Sequence, residues 1–88
     1  MCRNIRTLFN FEPPATENEI RASALQFVRK LCGFNSPSKA NEVAFNLAVE
    51  EVSVAAHRLL LSLETAALPR DREIEAEKAR VRARERFA

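Results

Sequence analysis

The segment from residue 38 to residue 63 constrains the fold most, because one predicted helix is apolar on two sides. A wide face holds Ala44, Phe45, Ala48, Val49, Val52, Ala55, Ala56, Leu59 and Leu63. A second face on roughly the opposite side holds Val43, Leu47, Val54 and Leu61. Such a helix needs a neighbour on each face. One is the preceding helix; the other is the N-terminal segment, the C-terminal helix or a second copy of the chain.

The preceding helix has clear start and stop signals. Thr16 is suited to the N-cap, and Glu19 stands at the third helical position, so that each can satisfy the other's free backbone N–H. Apolar residues follow at helical spacing from Ile20 to Leu31, and Gly33 is a natural C-terminal stop. This pattern predicts a helix over residues 17–32.

The sequence also predicts where two other helices begin. Ser36 can cap the long helix, with Pro37 at its first position. At the other end of the chain, Ile5, Leu8 and Phe9 follow Asn4 with i, i+3, i+4 spacing, which predicts a short N-terminal helix. These elements form a compact helical domain over residues 1–68.

Residues 69–88 are dominated by charge. Acidic residues come first and basic residues follow, an order that suits the helix dipole. The apolar residues make too thin a stripe for firm packing. We expect a charged C-terminal helix that protrudes from the domain or is partly frayed.

Composition supports an all-α fold. The 88 residues are 47% hydrophobic and 30% charged, and they include one glycine, whereas tight hairpins of sheet proteins require glycine. We therefore predict an antiparallel helical hairpin with a short N-terminal helix and a charged C-terminal helix.

Charge and cysteine usage narrow the function classes. The net charge of +2 is too small to indicate nucleic-acid binding by itself. No apolar run approaches the roughly 20 residues that cross a bilayer, and no secretory signal is apparent, so we expect a cytoplasmic protein without membrane contact.

Cys2 and Cys32 lack metal-site or disulfide-framework spacing, which favours two free thiols. No motif indicates a cofactor or a defined reaction.

The stretch from Met1 through Thr16, together with SPSKANEVAF further on, resembles a small bacterial family known only as domain of unknown function number twenty-two seventy-seven. The resemblance covers nearly the whole chain. It implies membership and supplies no reaction, ligand or catalytic residue.

A weaker resemblance is to the J-domain of Hsp40 co-chaperones. The shared order of features is carried by Leu8 and Phe9, Pro13 and Pro14, Thr16, Glu19, Ile20, Arg21 and Ala24, and Phe45. The His-Pro-Asp tripeptide of that family is missing, and Gly33-Phe34-Asn35-Ser36-Pro37 stands in its place. The resemblance implies an antiparallel hairpin without co-chaperone activity.

Cys2 is the candidate with the most chemical potential. Removal of Met1 would leave its thiol beside a free α-amine, a pair able to chelate a metal or act as a nucleophile. Arg3 and Arg6 favour the thiolate and are also candidate anion contacts. The alternative is a small residue near a chain end. Cys32 ends an apolar stripe, and we interpret it as part of the core.

His57, Ser53 and Glu50 follow one another along the long helix. Three such residues can suggest a hydrolase, but on one straight helix they form a ladder without an oxyanion site. We interpret them as a polar strip or groove. His57 and Glu50, with Cys2, are also candidate metal ligands, although their spacing matches no established pattern.

The basic run of the last segment is the candidate nucleic-acid or anion contact. It consists of Lys78, Arg80, Arg82, Arg84 and Arg86. No aromatic residue interleaves with it to stack on bases, so we favour a solvated charged helix.

The sequence as a whole favours a non-catalytic protein-interaction or scaffolding module. Because the long helix has two apolar faces in a short chain, we expect a homodimer, or else binding to another protein. The alternatives are nucleic-acid binding through the C-terminal helix, and a thiol- or metal-dependent activity at Cys2.

Overall fold

The computed structural model describes residues 5–87 and confirms an all-α fold. Its helices are α1 (Glu17–Cys32), α2 (Glu42–Ser62) and α3 (Arg72–Phe87), with one 3₁₀ turn over Lys39–Asn41 before α2. Two strands of two residues each, β1 (Phe11–Glu12) and β2 (Arg70–Asp71), pair in parallel. The molecule is flat, with extents of 44 × 38 × 16 Å. Along the described residues, none of the helices is both long enough and apolar enough to cross a bilayer.

Helix α1 begins and ends where the sequence predicts. The Thr16 hydroxyl accepts the Glu19 N–H at 3.2 Å, and the Glu19 carboxylate accepts the Thr16 N–H at 3.0 Å. At the other end, Gly33 adopts φ 79° and donates its N–H to the Arg29 carbonyl at 2.8 Å. A left-handed residue at this point suits glycine, which carries no Cβ.

The core lies between α1 and α2, which form the predicted antiparallel hairpin. Its buried residues are Ile20, Ala24 and Val28 from α1 and Phe45 and Val49 from α2. Leu25, Ala48 and Val52 pack at the edge of this cluster. The wide apolar face of α2 therefore packs against α1 through Phe45, Ala48, Val49 and Val52, whereas Ala44, Ala55, Leu59 and Leu63 of that face stay exposed.

The predicted start of the long helix is wrong. Ser36 and Pro37 lie in the loop, and the 3₁₀ turn begins after Ser38. Two contacts explain the later start. The Arg29 guanidinium donates to the Asn35 carbonyl at 2.9 Å, which ties the loop to α1. Asn41 donates its backbone N–H to the Ser38 carbonyl at 3.0 Å and its side-chain amide to the Ser38 hydroxyl at 3.0 Å.

The predicted N-terminal helix is also wrong for the residues described. Residues 5–10 are not helical, and Phe11–Glu12 instead pairs with Arg70–Asp71. Asn10 has φ 65°, a left-handed conformation that asparagine tolerates. Its side-chain amide donates to the Leu68 carbonyl at 3.2 Å, and its own carbonyl accepts the Arg70 N–H at 2.9 Å. These distant contacts outweigh a single helical turn, which is weak in isolation.

Helix α3 is joined to the hairpin at its N-terminal end. Asp71 caps the helix by accepting the Ile74 N–H at 3.0 Å. The Arg72 guanidinium lies 2.5 Å from the Glu19 carboxylate, and the Arg6 guanidinium lies 3.5 Å from the same carboxylate. Glu19 thus links the N-terminal segment, α1 and α3.

Replacement of Glu19 tests this link. The backbone N–H of Thr16, followed by the Arg72 side chain, lowers the pKa of Glu19 below its ordinary value of 4.5, although burial opposes the shift. Glu19→Ala should lower the free energy of unfolding by about 1–2 kcal/mol at pH 7, because the cap and the ion pairs are both lost. Glu19→Gln keeps an acceptor for Thr16 and should cost less. Urea unfolding measures both values.

The same experiment has a defined pH dependence. The folded state binds fewer protons at Glu19 than the unfolded state, so this contribution is present above pH 4.5 and is lost as the pH falls through the lowered value. The difference between wild type and Glu19→Gln should therefore shrink below that pH. Glu17→Gln, at an exposed position in the same helical turn, is the matched control. An equal loss in that control would contradict the assignment.

Candidate functional site

A polar cleft lies between the start of α1 and the middle of α2. Its volume is about 190 Å³, and its lining includes Glu50, Ser53 and His57 from α2 and Arg21 from α1. The Arg21 Nη1 donates to the Glu50 Oε2 at 2.6 Å. The residues that the sequence placed on one strip therefore share one cleft, with His57 half-buried.

The contacts in the cleft suit a polar groove. The Ser53 hydroxyl donates to the Val49 carbonyl at 2.7 Å, so its proton is engaged within the helix. The Glu50 carboxylate is paired with Arg21 rather than with His57 or Ser53 among the described contacts. An acyl-transfer site would need a free hydroxyl hydrogen-bonded to the histidine.

The candidate metal site is only partly placed. Glu50 and His57 line the same cleft, whereas Cys2 and Arg3 lie outside the described residues. Within residues 5–87 no three side chains of His, Cys, Asp or Glu come together as a metal-binding group. The proposal that Cys2 is reactive stays a prediction.

Cys32 is exposed, and its assignment to the core is wrong. It occupies the last position of α1, where the helix projects beyond the packed core residues of α2. An exposed thiol should react freely with thiol reagents. In a Cys2→Ser variant, Ellman's reagent should label one thiol per native chain as fast as in denaturant. A native rate more than about tenfold slower than the rate in denaturant would contradict this exposure, since an accessible thiol reacts without steric hindrance.

A second cleft lies between the N-terminal segment and α3, with a volume of about 340 Å³. Leu8, Phe11 and Ala76 form its apolar side, and Arg6 and Arg72 lie at its edge. Both guanidinium groups are within ion-pair distance of Glu19. The charge of Arg6, one of the candidate anion contacts, is thus only partly offset, because Arg6 and the closer Arg72 share one carboxylate.

The basic run of α3 is partly neutralised by its own helix. Lys78 lies 3.2 Å from Glu75, and Arg80 and Arg84 lie 2.6 Å and 3.5 Å from Glu77. Arg82 and Arg86 are exposed and have no ion pair with another described residue. The positive field of this helix is therefore weaker than its sequence suggests.

The second apolar face of α2 is uncovered in the single chain. We call it the outer stripe, and it consists of Val43, Leu47, Val54 and Leu61. Their exposed fractions are 80%, 56%, 46% and 76%. Helix α3 does not cover this face, and the N-terminal segment meets it only at Leu61, which lines a small pocket with Leu8 and Phe9 and stays largely exposed.

The outer stripe belongs to a larger set of exposed hydrophobic residues, which outnumber the buried ones. Among the described residues, five hydrophobic residues are buried, whereas twelve large hydrophobic residues are exposed. Isolated exposed hydrophobic residues are normal, but several of them aligned on one side of a helix favour an interaction surface. The outer stripe is the candidate functional surface that this geometry supports best.

The comparisons with known proteins identify the family. The searches of curated proteins and of solved structures each returned no significant match. A family model described as "Uncharacterized conserved protein (DUF2277)" matches residues 1–78. This range includes the capping box, the hairpin and the outer stripe, so the chain belongs to the DUF2277 family.

Proposed function

We propose that this protein is a non-catalytic protein-interaction module and that a second copy of the chain occupies the outer stripe. The observation that carries the proposal is the row of four exposed aliphatic side chains on the side of α2 opposite its core face. Burying each of them fully is worth about 1.5–3 kcal/mol. A two-fold dimer places the same surface of each copy against the other, so the outer stripe of one chain can cover that of its partner.

The accessible surface supports the need for a partner. A compact monomer of 10.0 kDa should expose about 5,200 Å². This chain exposes 7193 Å², which is about 2,000 Å² more. Part of the excess belongs to the charged helix α3. A stable dimer needs only about 600–1,000 Å² from each chain.

Charge at the edge of the stripe favours a second copy as the occupant. Glu50, Glu51 and Arg58 flank the stripe, so the surface presents both signs of charge. A surface of mixed sign can complement itself, whereas a partner selected by charge would favour one sign. The nearly neutral chain also opposes association only weakly.

Size-exclusion chromatography with light scattering tests this function. The proposal predicts a mass of twice 10.0 kDa at micromolar concentration, with dissociation on dilution. A monomer at every concentration up to about 1 mM, a range that corresponds to weak binding of roughly −4 kcal/mol, would remove the dimer and the function built on it.

The cytoplasm is the compartment we propose, because an exposed free thiol such as Cys32 persists best where thiols are kept reduced. Nucleic-acid binding through α3 is the less favoured function, since three of its basic residues pair with acidic neighbours. It would give an affinity for DNA or RNA that collapses with added salt and with charge reversal of Arg80, Arg82 and Arg84.

A further inference from the structure

We propose that the two copies pack antiparallel about a two-fold axis at Val54, with Glu51 of each chain paired to Arg58 of the other. This inference rests on the proposed function, because it requires a dimer through the outer stripe. It specifies which residues fix the direction and register of that dimer.

The spacing of the stripe supplies the register. Leu47, Val54 and Leu61 are seven residues apart, so they lie along one line of α2. Val54 is the midpoint of this line. When one helix is reversed about Val54, Leu47 of each chain meets Leu61 of the partner, and Val54 meets Val54. The three layers then bury aliphatic side chains from both copies.

The charges beside the stripe favour the antiparallel direction. Glu51 and Arg58 are also seven residues apart, and they share one flank of the stripe. In an antiparallel helix pair, each flank meets the same flank of the partner. Reversal about Val54 brings Glu51 to within one residue, or about 1.5 Å along the axis, of the level of the partner's Arg58. The two-fold axis generates a second, identical pair between Arg58 of the first chain and Glu51 of the partner.

Both side chains are available for that contact. Glu51 and Arg58 are exposed, and neither forms an ion pair with another described residue. By contrast, Glu50 on the other flank is already held by Arg21 at 2.6 Å. The flank with Glu51 and Arg58 therefore carries the free charges of both signs.

A parallel dimer is disfavoured by the same residues. In a parallel pair, opposite flanks meet at the same level. Glu51 of each chain would then face Glu50 of the partner, which clusters four carboxylates in one layer. Arg58 would face the partner's His57. The parallel arrangement thus loses the attraction between Glu51 and Arg58 while burying the same aliphatic row, and Arg21 offsets only part of the negative charge that Glu50 adds beside Glu51.

Cysteine cross-linking tests direction and register. In a background with Cys2→Ser and Cys32→Ser, Val54→Cys should form a covalent dimer on mild oxidation. Leu47→Cys alone and Leu61→Cys alone should not, but a mixture of these two variants, one carrying a size tag, should give the mixed dimer. Cross-linking of Leu47→Cys or Leu61→Cys with itself would overturn the antiparallel arrangement. A light-scattering monomer without any cross-link would overturn the dimer itself.

Charge reversal tests the ion pair separately. Glu51→Arg and Arg58→Glu should each weaken dimerisation about tenfold, and the double variant should recover wild-type affinity within about threefold, as a direct pair requires. Glu64→Arg, an exposed position after α2, is the control for the change of net charge and should have no effect. A dimer with no recovery in the double variant would overturn the pairing and leave the proposed function standing.

Discussion

Val54→Asp should convert the dimer into a folded monomer. Val54 lies at the centre of the outer stripe and is 46% exposed in the single chain, so the change leaves the hairpin core intact. In the dimer it removes two buried valines and places two carboxylates against each other. Only the exposed 46% of each Val54 can be buried in the dimer, so losing the two valines costs about 1.5–3 kcal/mol and should raise the dissociation constant by about tenfold to a hundredfold, with the opposed carboxylates adding to this. Sedimentation equilibrium measures this change.

Ala55→Asp is the matched control for that variant. Ala55 is exposed and follows Val54 in α2, but it lies about 100° around the helix from the stripe. It introduces the same carboxylate into the same helix and should leave the dimer intact. Equal weakening by both variants would indicate a general effect of charge on α2 and contradict an interface centred on Val54.

Phe45→Ala should remove most of the stability of the chain. Phe45 is 8% exposed and packs with Ala24, Val28 and Val49 in a core of few residues. Truncating a buried phenylalanine costs about 3–5 kcal/mol. A small domain has only about 5–10 kcal/mol in total. Circular dichroism with urea should show a large shift of the unfolding midpoint, or a chain already partly unfolded in buffer.

Phe34→Ala removes the same side chain from the loop between α1 and α2. Phe34 is 45% exposed, so by buried area its loss should cost only about 0.6 of what the loss of Phe45 costs, and less still because an exposed site leaves no closed cavity. Similar losses for the two variants would contradict a core placed between Ala24 and Val49.

The sequence predicts the hairpin well because its signals are local. Thr16, Glu19 and Gly33 all act within one turn of the residues they terminate, and the structure shows each in that role. The two faces of α2 are likewise visible in the spacing of its apolar residues. What the spacing cannot show is which face a neighbour covers within the same chain.

The errors concern residues whose contacts are distant in sequence. Ile5, Leu8 and Phe9 have helical spacing, but Asn10 and Phe11 are held by residues 67–70 on the far side of the hairpin. Cys32 continues the apolar pattern of α1 and is nevertheless exposed, at the end of the helix and one turn after Val28, the last buried residue of α1. The polar cleft between α1 and α2 could not be predicted for the same reason. Arg21 meets Glu50 only because α1 packs on α2.

The link made by Glu19 also depends on distant residues. Its role in the cap is visible in the sequence, whereas its contact with Arg72 joins positions 53 residues apart. That contact orients the start of α3 against the hairpin. It does not cover the outer stripe, which lies opposite the core face of α2, with Val54 at the rim of the cleft beside Arg21.

The most direct test of the account is the solvent exposure of the outer stripe in solution. Methyl relaxation by a soluble paramagnetic agent reports this exposure for Leu47, Val54 and Leu61, with Leu68, which is 88% exposed, as the internal reference. As protein concentration rises through the dimerisation range, relaxation of the stripe methyls should fall while that of Leu68 stays constant. Stripe methyls that remain as accessible as Leu68 in a sample shown to be dimeric would place the interface elsewhere and contradict the account.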